Sequence, residues 1–237
     1  MGRLLALADL HLSGTGDKPM DRFGELWADH AARMAENWDA TVRSDDWVLL
    51  PGDLSWAKNL DQAGCDLAWI GERPGSKLLL RGNHDSWWGS RSKVRSALPA
   101  GCEILHNSAV EIGDWVVLGS RGWLSPDDPL AGENDRRVFE RELHRLDLSI
   151  QDAARFGAGR SRLAMLHYPP WVAGREPTEV VRRMQAADVS ICVFGHLHGD
   201  DHALAIDGLH EGIRYHFVAA DAVGFRPVVI LEDVERC

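Results

Sequence analysis

Five short apolar runs in this chain each lead directly into aspartate, asparagine or histidine, and this repetition constrains the fold more than any other feature. The central run ends at Leu80 and continues as Arg81-Gly82-Asn83-His84-Asp85. The other four runs end at Asp9-Leu10-His11, Gly52-Asp53, His167 and Gly195-His196-Leu197-His198. In α/β proteins, polar loops at the carboxyl ends of apolar strands form the ligand sites. The pattern therefore predicts several strands that deliver reactive side chains to one site.

The order of elements up to residue 81 favours a parallel sheet covered by helices. Strands are predicted at 3–8, 47–50 and 77–81, with amphipathic helices at 22–43 and about 58–72 between them. Short loops and this β-α-β-α-β alternation are typical of a parallel α/β architecture.

From about residue 103 the sequence changes to short β-branched runs that predict antiparallel strands. Runs at 103–105, 108–112 and 115–119 are separated by His106-Asn107 and Gly113-Asp114, which are typical of turns. Further along, the pattern predicts helices at about 135–156 and 177–187 and strands at 163–166, 190–194, 202–206, 213–218 and 227–231. Because no repeat or linker interrupts this order, we expect one domain over residues 1–237.

Composition narrows the classes of partner. The 237 residues are 45% hydrophobic, and the chain carries a net charge of −10. Duplex nucleic acid and anionic membranes both require a positive field, so we expect neither as a partner. A small phosphorylated substrate is compatible, because bound cations can invert the local charge. The sequence leaves the oligomeric state open.

Cysteine usage and the amino-terminal sequence predict a cytoplasmic protein. The four cysteines show no paired spacing, which indicates reduced thiols: Cys65, Cys102, Cys192 and Cys237. Strand-like sequence begins almost at Met1, and no apolar run approaches the length of a membrane span. We therefore expect neither a signal peptide nor a membrane segment.

The residue types at the strand ends match a site for two metal ions. The candidate ligands are two carboxylates, one amide and four imidazoles, namely Asp9, His11, Asp53, Asn83, His167, His196 and His198. This set exceeds one tetrahedral zinc site and suits two ions that share a carboxylate, for which Asp53 is the candidate. Two cations about 3.5–4 Å apart turn a bridging water into hydroxide and stabilise in-line phosphoryl displacement. We therefore expect a metal-bridging hydroxide as the nucleophile.

The five motifs, in this order, resemble the calcineurin-like metallophosphoesterase superfamily over residues 9–198. The resemblance implies two β-sheets packed face to face and flanked by helices, with the metals at one end of the sandwich. It implies one ion on Asp9, His11 and His198, a second ion on Asn83, His167 and His196, and Asp53 as the bridge. It also implies that His84 stabilises charge and protonates the leaving oxygen, and that Asp85 orients or polarises His84.

A further resemblance is to a bacterial branch of predicted phosphohydrolases, and it does not indicate a substrate. The shared segments are Ser55-Trp56-Ala57, Trp87-Trp88 and Arg121-Gly122-Trp123. Many members of the superfamily carry a second acid or histidine shortly after the Gly-Asp pair, whereas Leu54-Ser55-Trp56-Ala57 follows here. The surroundings of Asp53 are therefore expected to be apolar.

Substrate binding is assigned to the segment 119–156, which we interpret as a specificity cap over the metals. Arg121, Arg136 and Arg137 are the candidate phosphate ligands, because guanidinium binds phosphate bidentately. Trp123 would form part of the pocket wall. The alternatives are solvated surface charges for the arginines and core packing for Trp123. The sequence is equally compatible with two roles for Asp221: a turn residue, or a hydrogen-bond partner of a metal ligand.

Taken together, these patterns predict a dinuclear metal-dependent phosphoesterase that hydrolyses phosphate mono- or diesters. Manganese is the expected metal, and iron, zinc or cobalt suit the same mixed ligands. Within this chemistry the alternative is a nuclease or cyclic-nucleotide phosphodiesterase acting on single-stranded or small nucleotides. A non-catalytic metal-binding scaffold is disfavoured, because the ligand set and His84 are intact.

Overall fold

A computed structural model of the chain describes residues 2–15, 18–129, 131–157, 159–171 and 177–234. The strands are β1 (Gly2–Ala6), β2 (Trp47–Leu50), β3 (Ser76–Leu79), β4 (Cys102–Ile104), β5 (Val110–Ile112), β6 (Trp115–Ser120), β7 (Ser161–Leu166), β8 (Val189–Phe194), β9 (Gly208–His210), β10 (Ile213–Phe217) and β11 (Val228–Val234). The α-helices are α1 (His30–Thr41), α2 (Leu60–Glu72), α3 (Arg91–Ala97), α4 (Glu133–Ala153) and α5 (Glu179–Ala186).

The strands form two mixed sheets. Sheet 1 has the order β11-β1-β2-β3-β4, and sheet 2 has the order β5-β6-β7-β8-β10-β9. In sheet 1, β1 to β4 are parallel and β11 is an antiparallel edge strand. In sheet 2, the four inner strands are parallel, and β5 and β9 are antiparallel edges. The carboxyl ends of the parallel strands within each sheet therefore lie at a common edge.

Three apolar layers hold the sheets and helices together. The central layer joins the facing sheets, for example through Leu78 of sheet 1 and Val193 of sheet 2. The outer face of sheet 1 is covered by α1, α2 and α3, and that of sheet 2 by α4 and α5. Burial on both faces explains why these strands are almost continuously apolar. The predicted sandwich of two sheets flanked by helices is confirmed.

The helix predicted at 22–43 begins only at His30. Residues Met20–Phe23 and Glu25–Trp27 form two short 3₁₀ turns instead. The break lies at Gly24, whose φ of 124° is incompatible with an α-helix. Phe23 and Leu26 therefore do not join a buried helical stripe and are 57% and 51% exposed.

The sequence also misassigned three shorter segments. Helix α3 escaped prediction because it has seven residues and only Val94 is buried. Residues 202–206 were expected to form a strand, whereas Gly199–Leu204 is a 3₁₀ helix. His106-Asn107 was expected to be the turn between two paired antiparallel strands. The strands on either side of it, β4 and β5, do not pair, because β4 lies in sheet 1, parallel to β3, and β5 lies in sheet 2. The turn at Gly113-Asp114, between β5 and β6, is confirmed.

Helix α4 is part of the core and does not form a separate cap. Its side chains Phe139, Leu143 and Leu146 are buried in the layer that covers sheet 2. The cap hypothesis for the segment 119–156 therefore applies only to the loop that precedes α4.

Two further expectations can be compared with the described residues. Cys65, Cys102 and Cys192 are free thiols, and Cys237 lies outside those residues. None of the helices that the structure describes combines the length and apolar character needed to cross a membrane.

Candidate metal centre

The seven predicted ligands follow the carboxyl ends of five strands, and the fold brings them together. Sheet 1 contributes the ligands after β1, β2 and β3, and sheet 2 contributes those after β7 and β8. They are Asp9 and His11, Asp53, Asn83, His167, and His196 and His198. The site therefore lies where the ends of the two sheets meet.

Asp9, His11 and His198 form the first cluster. One ligand atom from each lies within 4.8 Å of the other two. The Nε2 atoms of His11 and His198 are 3.2 Å apart, and His198 Nε2 is 3.9 Å from Asp9 Oδ1. Ring nitrogens and a carboxylate oxygen that converge in this way are suited to hold a borderline transition metal ion.

Asp53, His167 and His196 form the second cluster, and their ligand atoms also lie within 4.8 Å of one another. Asn83 joins it, because its Oδ1 is 2.6 Å from His167 Nε2. The Oδ2 atom of Asp53 lies 3.4 Å from His167 Nε2 and 3.9 Å from His11 Nε2. Asp53 thus faces both clusters, as a bridging carboxylate must.

Four of these residues have left-handed backbone conformations. The φ angles are 60° at Asp9, 45° at His11, 53° at Asp53 and 78° at His196. Such strain costs about 1–3 kcal/mol per residue and persists only where the surrounding structure enforces it. Hydrogen bonds between the first two strand ends do so, because Asp9 N donates to Gly52 O and His11 N donates to Asp53 O.

The glycines that precede Asn83 and His196 leave room for carboxylates. A Cβ atom on Gly82 would lie 2.1 Å from Asp53 Oδ1, and one on Gly195 would lie 2.2 Å from Asp9 Oδ2. Any side chain at either position would displace a candidate ligand. Close packing of the two loops therefore explains both glycines in the motifs.

Unsatisfied atoms at this site support a bound cation. Asp9 Oδ1 and His11 Nδ1 are buried, and neither has a hydrogen-bond partner among the described residues. Burial raises the pKa of Asp9 to about 7, and this effect exceeds the lowering by the nearby His167 and His198 rings. Burial also lowers the pKa values of His11 and His196 to about 3, which keeps both rings in the neutral form that binds metals. The residues present therefore fit a metal ion.

Asp221 holds one of the candidate ligands in place. Its Oδ1 is 2.9 Å from His198 Nδ1, so the opposite ring nitrogen, Nε2, faces the first cluster. Its Oδ2 is 3.0 Å from His202 Nε2 and accepts a hydrogen bond from Gly199 N. A carboxylate behind a histidine ligand fixes the ring and its tautomer. Of the two roles considered for Asp221, a turn residue or a partner of a metal ligand, the structure therefore supports the second, with His198 as the candidate ligand.

His84 lies at the open side of the site. Its side chain is 44% exposed, and its Nε2 is 4.0 Å from Asp53 Oδ2. Its backbone N donates to Asp53 Oδ1 over 2.8 Å, which fixes the loop against the proposed bridge.

Asp85 has different partners from those that the resemblance implied. Its buried carboxylate accepts hydrogen bonds from the backbone N atoms of Leu54, Ser55 and Gly82 and from Trp87 Nε1. Among the described residues, the His84 ring is not one of its donors. Asp85 therefore fixes the backbone of the two loops that carry Asp53 and Asn83, and it is a positioning residue.

Aromatic rings form the wall of a 310 Å³ cavity that opens onto the first cluster. His11, His84 and His198 line it together with Met20, Phe23, Leu26, Trp27 and Trp56. The Trp56 ring stacks on His11, with centroids 4.8 Å apart, and lies 4.3 Å from the His84 ring. On the other side of the centre, Tyr168 stacks on His196 at 3.8 Å.

The four predicted substrate residues lie in two places. Arg121 is 10% exposed and forms an ion pair with Glu142 at 2.9 Å, and its guanidinium lies 4.5 Å from the Trp123 ring centroid. Trp123 itself packs on Tyr168. Arg136 and Arg137 are exposed on the first turns of α4. Substrate binding by these residues stays a prediction.

Two curated relatives align with about a third of this chain. The Gene 66 protein of Mycobacterium phage L5 is 36% identical over 78 residues, which are 33% of this chain and 37% of that protein. The Gene 66 protein of Mycobacterium phage D29 is 38% identical over 87 residues, which are 36% of this chain and 41% of that protein. The matches therefore span less than half of either phage protein.

Solved structures share the fold over almost the whole chain. A protein of unknown function from Aquifex aeolicus has a TM-score of 0.52 at 15% identity, covering 96% of this chain and 95% of its own. The phosphopantetheinyl hydrolase of Mycobacterium tuberculosis has a TM-score of 0.55 at 15% identity, covering 92% of this chain and 89% of its own. At this identity the likeness is one of fold alone.

The family assignment rests on a match that includes every motif of the site. The family model of the calcineurin-like phosphoesterases matches residues 2–200, which include all seven candidate ligands and His84. The chain therefore belongs to the calcineurin-like phosphoesterase family.

Proposed function

We propose that this chain is a dinuclear metal-dependent phosphoesterase that hydrolyses phosphate mono- or diesters. The observation that carries the proposal is a pair of ligand clusters with Asp53 between them. One ion would take Asp9, His11 and His198, and the other would take Asn83, His167 and His196. Mixed oxygen and nitrogen ligands suit manganese, the metal that we propose, and also iron, zinc or cobalt.

The chain's own groups have three tasks in this reaction. Bound cations supply water activation and charge neutralisation at the phosphoryl group. His84 Nε2 donates a proton to the leaving oxygen; burial lowers the pKa of His84, which makes its protonated ring a stronger acid. Asp85 keeps the loops of Asp53 and Asn83 in register, and Asp221 keeps His198 oriented.

The cavity beside His84 supports a substrate that carries an apolar or aromatic group. A phosphoryl group at the metal centre would place its leaving group near His84 and the rings of Trp56 and Phe23. Small nucleotides are one kind of substrate with such a group, because their bases stack on aromatic rings. A phosphodiesterase that acts on small nucleotides is therefore the second candidate function. The proposed setting is the cytoplasm, where free thiols stay reduced.

The function is tested by metal-stripped protein to which each metal is returned in turn. We expect 4-nitrophenyl phosphate or bis(4-nitrophenyl) phosphate to be hydrolysed only after metal is restored, and the better substrate separates monoester from diester preference. No turnover of either ester with any of the four metals would refute the proposal.

The bridging role is tested by Asp53→Asn. This variant should lose both ions together in elemental analysis, because the shared negative charge is gone. The matched control is Asp200→Asn, at an exposed aspartate near the site, which should bind both ions normally. If Asp53→Asn binds two ions with wild-type affinity, Asp53 is not the bridge.

A further inference from the structure

A second cavity lies beside the candidate metal centre, at the carboxyl ends of one strand from each sheet, β3 and β6. It has a volume of 230 Å³ and is lined by Arg81, Arg121, Glu142 and Arg145, among others. Arg81 follows β3, whose loop also carries Asn83. Arg121 follows β6, and its carbonyl accepts the backbone N–H of His167 at the end of β7. The cavity is therefore adjacent to the second ligand cluster.

Three buried polar atoms on residues that line this cavity have no hydrogen-bond partner among the described residues. They are the Nε atoms of Arg81 and Arg121 and the Oε2 atom of Glu142. The other carboxylate oxygen, Oε1, accepts from Arg121 Nη2 at 2.9 Å and from Arg145 Nη1 at 3.0 Å. Most buried polar groups in proteins have a partner, and a bound molecule or water is one explanation for those that have none.

Positive charge exceeds negative charge among the groups that line the cavity. Three guanidinium groups face one carboxylate, and among the described residues no carboxylate forms an ion pair with Arg81. The nearby carboxylate of Asp85 is already engaged by four N–H donors. Water could complete the hydrogen bonds but would leave this charge uncompensated. An anion satisfies both requirements, and guanidinium groups bind the oxygens of phosphate bidentately.

We propose that this cavity binds a phosphate-type oxyanion. Arg81, Arg121 and Arg145 bind its oxygens, and Glu142 keeps the guanidinium groups of Arg121 and Arg145 in place through Oε1. Two sources of this group fit the cavity: inorganic phosphate, or a second phosphoryl group on a substrate whose first phosphoryl group lies at the metal centre. The chain as a whole is acidic, with a net charge of −10, so this pocket does not reflect a generally basic surface.

Direct binding of inorganic phosphate tests the site without the metals. The full chain is stripped with chelator, its fold is verified by circular dichroism, and radiolabelled phosphate binding is measured by equilibrium dialysis. We expect about one phosphate per chain, with affinity lowered about 10- to 100-fold in Arg81→Met and in Arg145→Met, as for loss of a charge-assisted contact. Arg145 is 32% exposed on α4, so its replacement should leave the fold intact.

The matched control is Arg141→Met on the same helix. The Arg141 side chain is 55% exposed, its Nε lies 3.9 Å from Glu142 Oε1, and it does not line the cavity. This variant should bind phosphate like the wild type. Absence of phosphate binding to the stripped chain, or equal losses in Arg141→Met and Arg145→Met, would overturn the proposal and leave water as the occupant.

Kinetics of the metal-loaded enzyme distinguish the two sources, and this step rests on the proposed function. Alkanediol bisphosphates of increasing length are compared with the matching monophosphates. If the second phosphoryl group occupies the cavity, wild type prefers a bisphosphate, and the ratio of kcat/KM values falls about tenfold in Arg145→Met but not in Arg141→Met. Phosphate binding without such a preference identifies inorganic phosphate as the occupant. If neither ester is hydrolysed, the proposed function fails while the binding result stands.

Discussion

At the scale of single residues, the hydrogen bond of Asp221 with His198 Nδ1 leaves Nε2 of that ring facing the candidate metal centre. Removing its charge without changing its shape should loosen the ring and lower metal affinity. We expect Asp221→Asn to bind metal about 10- to 100-fold more weakly, which is typical for a partner of a metal ligand. Titration against a competing chelator measures this affinity.

The control for this prediction is Asp201→Asn, at an exposed aspartate in the same 3₁₀ helix as His202. It should retain wild-type affinity. Equal affinities in the two variants would show that the hydrogen bond between Asp221 and His198 does not contribute to metal binding.

His84 differs from the ligands because its ring is half exposed and faces the cavity. His84→Ala should keep its metal content and lose about 10²–10⁴-fold in turnover, the usual contribution of a positioned proton donor. The loss should be smaller for esters with good leaving groups, since these need little protonation. Equal losses across a series of leaving groups would leave charge stabilisation as the only role of His84.

At the scale of elements, the segment Met20–Trp27 forms two 3₁₀ turns, and in this conformation its side chains line the cavity beside His84. The turn at Gly24 leaves Phe23 and Leu26 more than half exposed beside Trp56 and His84. Apolar side chains that lie together on the wall of a cavity, as these do, are candidates for contact with a ligand.

Phe23→Ala and Leu26→Ala test this wall. Each should lower kcat/KM for aryl phosphates about fivefold relative to small alkyl phosphates, as expected for losing about 1 kcal/mol of apolar burial. The control is Leu209→Ala on β9, where the side chain is 64% exposed and outside the cavity. If the ratio of kcat/KM for aryl phosphates to kcat/KM for alkyl phosphates is the same in Leu26→Ala and Leu209→Ala, the wall does not contact the substrate.

At the scale of the whole molecule, the candidate metal centre lies where the two sheets meet. The candidate ligands after β1, β2 and β3 belong to sheet 1, and those after β7 and β8 belong to sheet 2. Strained backbones and unpartnered buried atoms at this junction make it unfavourable without cations. Bound metal should therefore stabilise the fold as well as support the reaction.

Metal addition should raise the melting temperature measured by circular dichroism. At a free metal concentration 100 times the Kd, binding contributes about 2.7 kcal/mol to the free energy of unfolding. For a chain of this size, that corresponds to a rise of about 5–11 °C. The Asp53→Asn variant should show a much smaller rise. A wild-type rise in that variant would place the stabilising metal elsewhere.

Much of the site could be predicted from the sequence, because its motifs are local. An apolar run followed within a few residues by glycine, aspartate or histidine defines a strand end and the donors that it carries. Such motifs indicated all seven candidate ligands and His84, and their resemblance to the superfamily implied the two-sheet sandwich. The assignments that failed were also local: the helix at 22–43 was interrupted by one glycine, and α3 was too short for its periodicity to show.

Only the tertiary structure decided which distant residues meet. Asp221 reaches His198 because β10 lies next to β8. Arg81, Arg121 and Glu142 share a cavity because β3 and β6 end near the middle of α4. The partners of Asp85 likewise come from two loops. Strand order and sheet packing arise from burying apolar area across the whole chain, so no local pattern contains them. The sequence by itself therefore determined the ligand types, whereas the fold determined their partners and the second cavity.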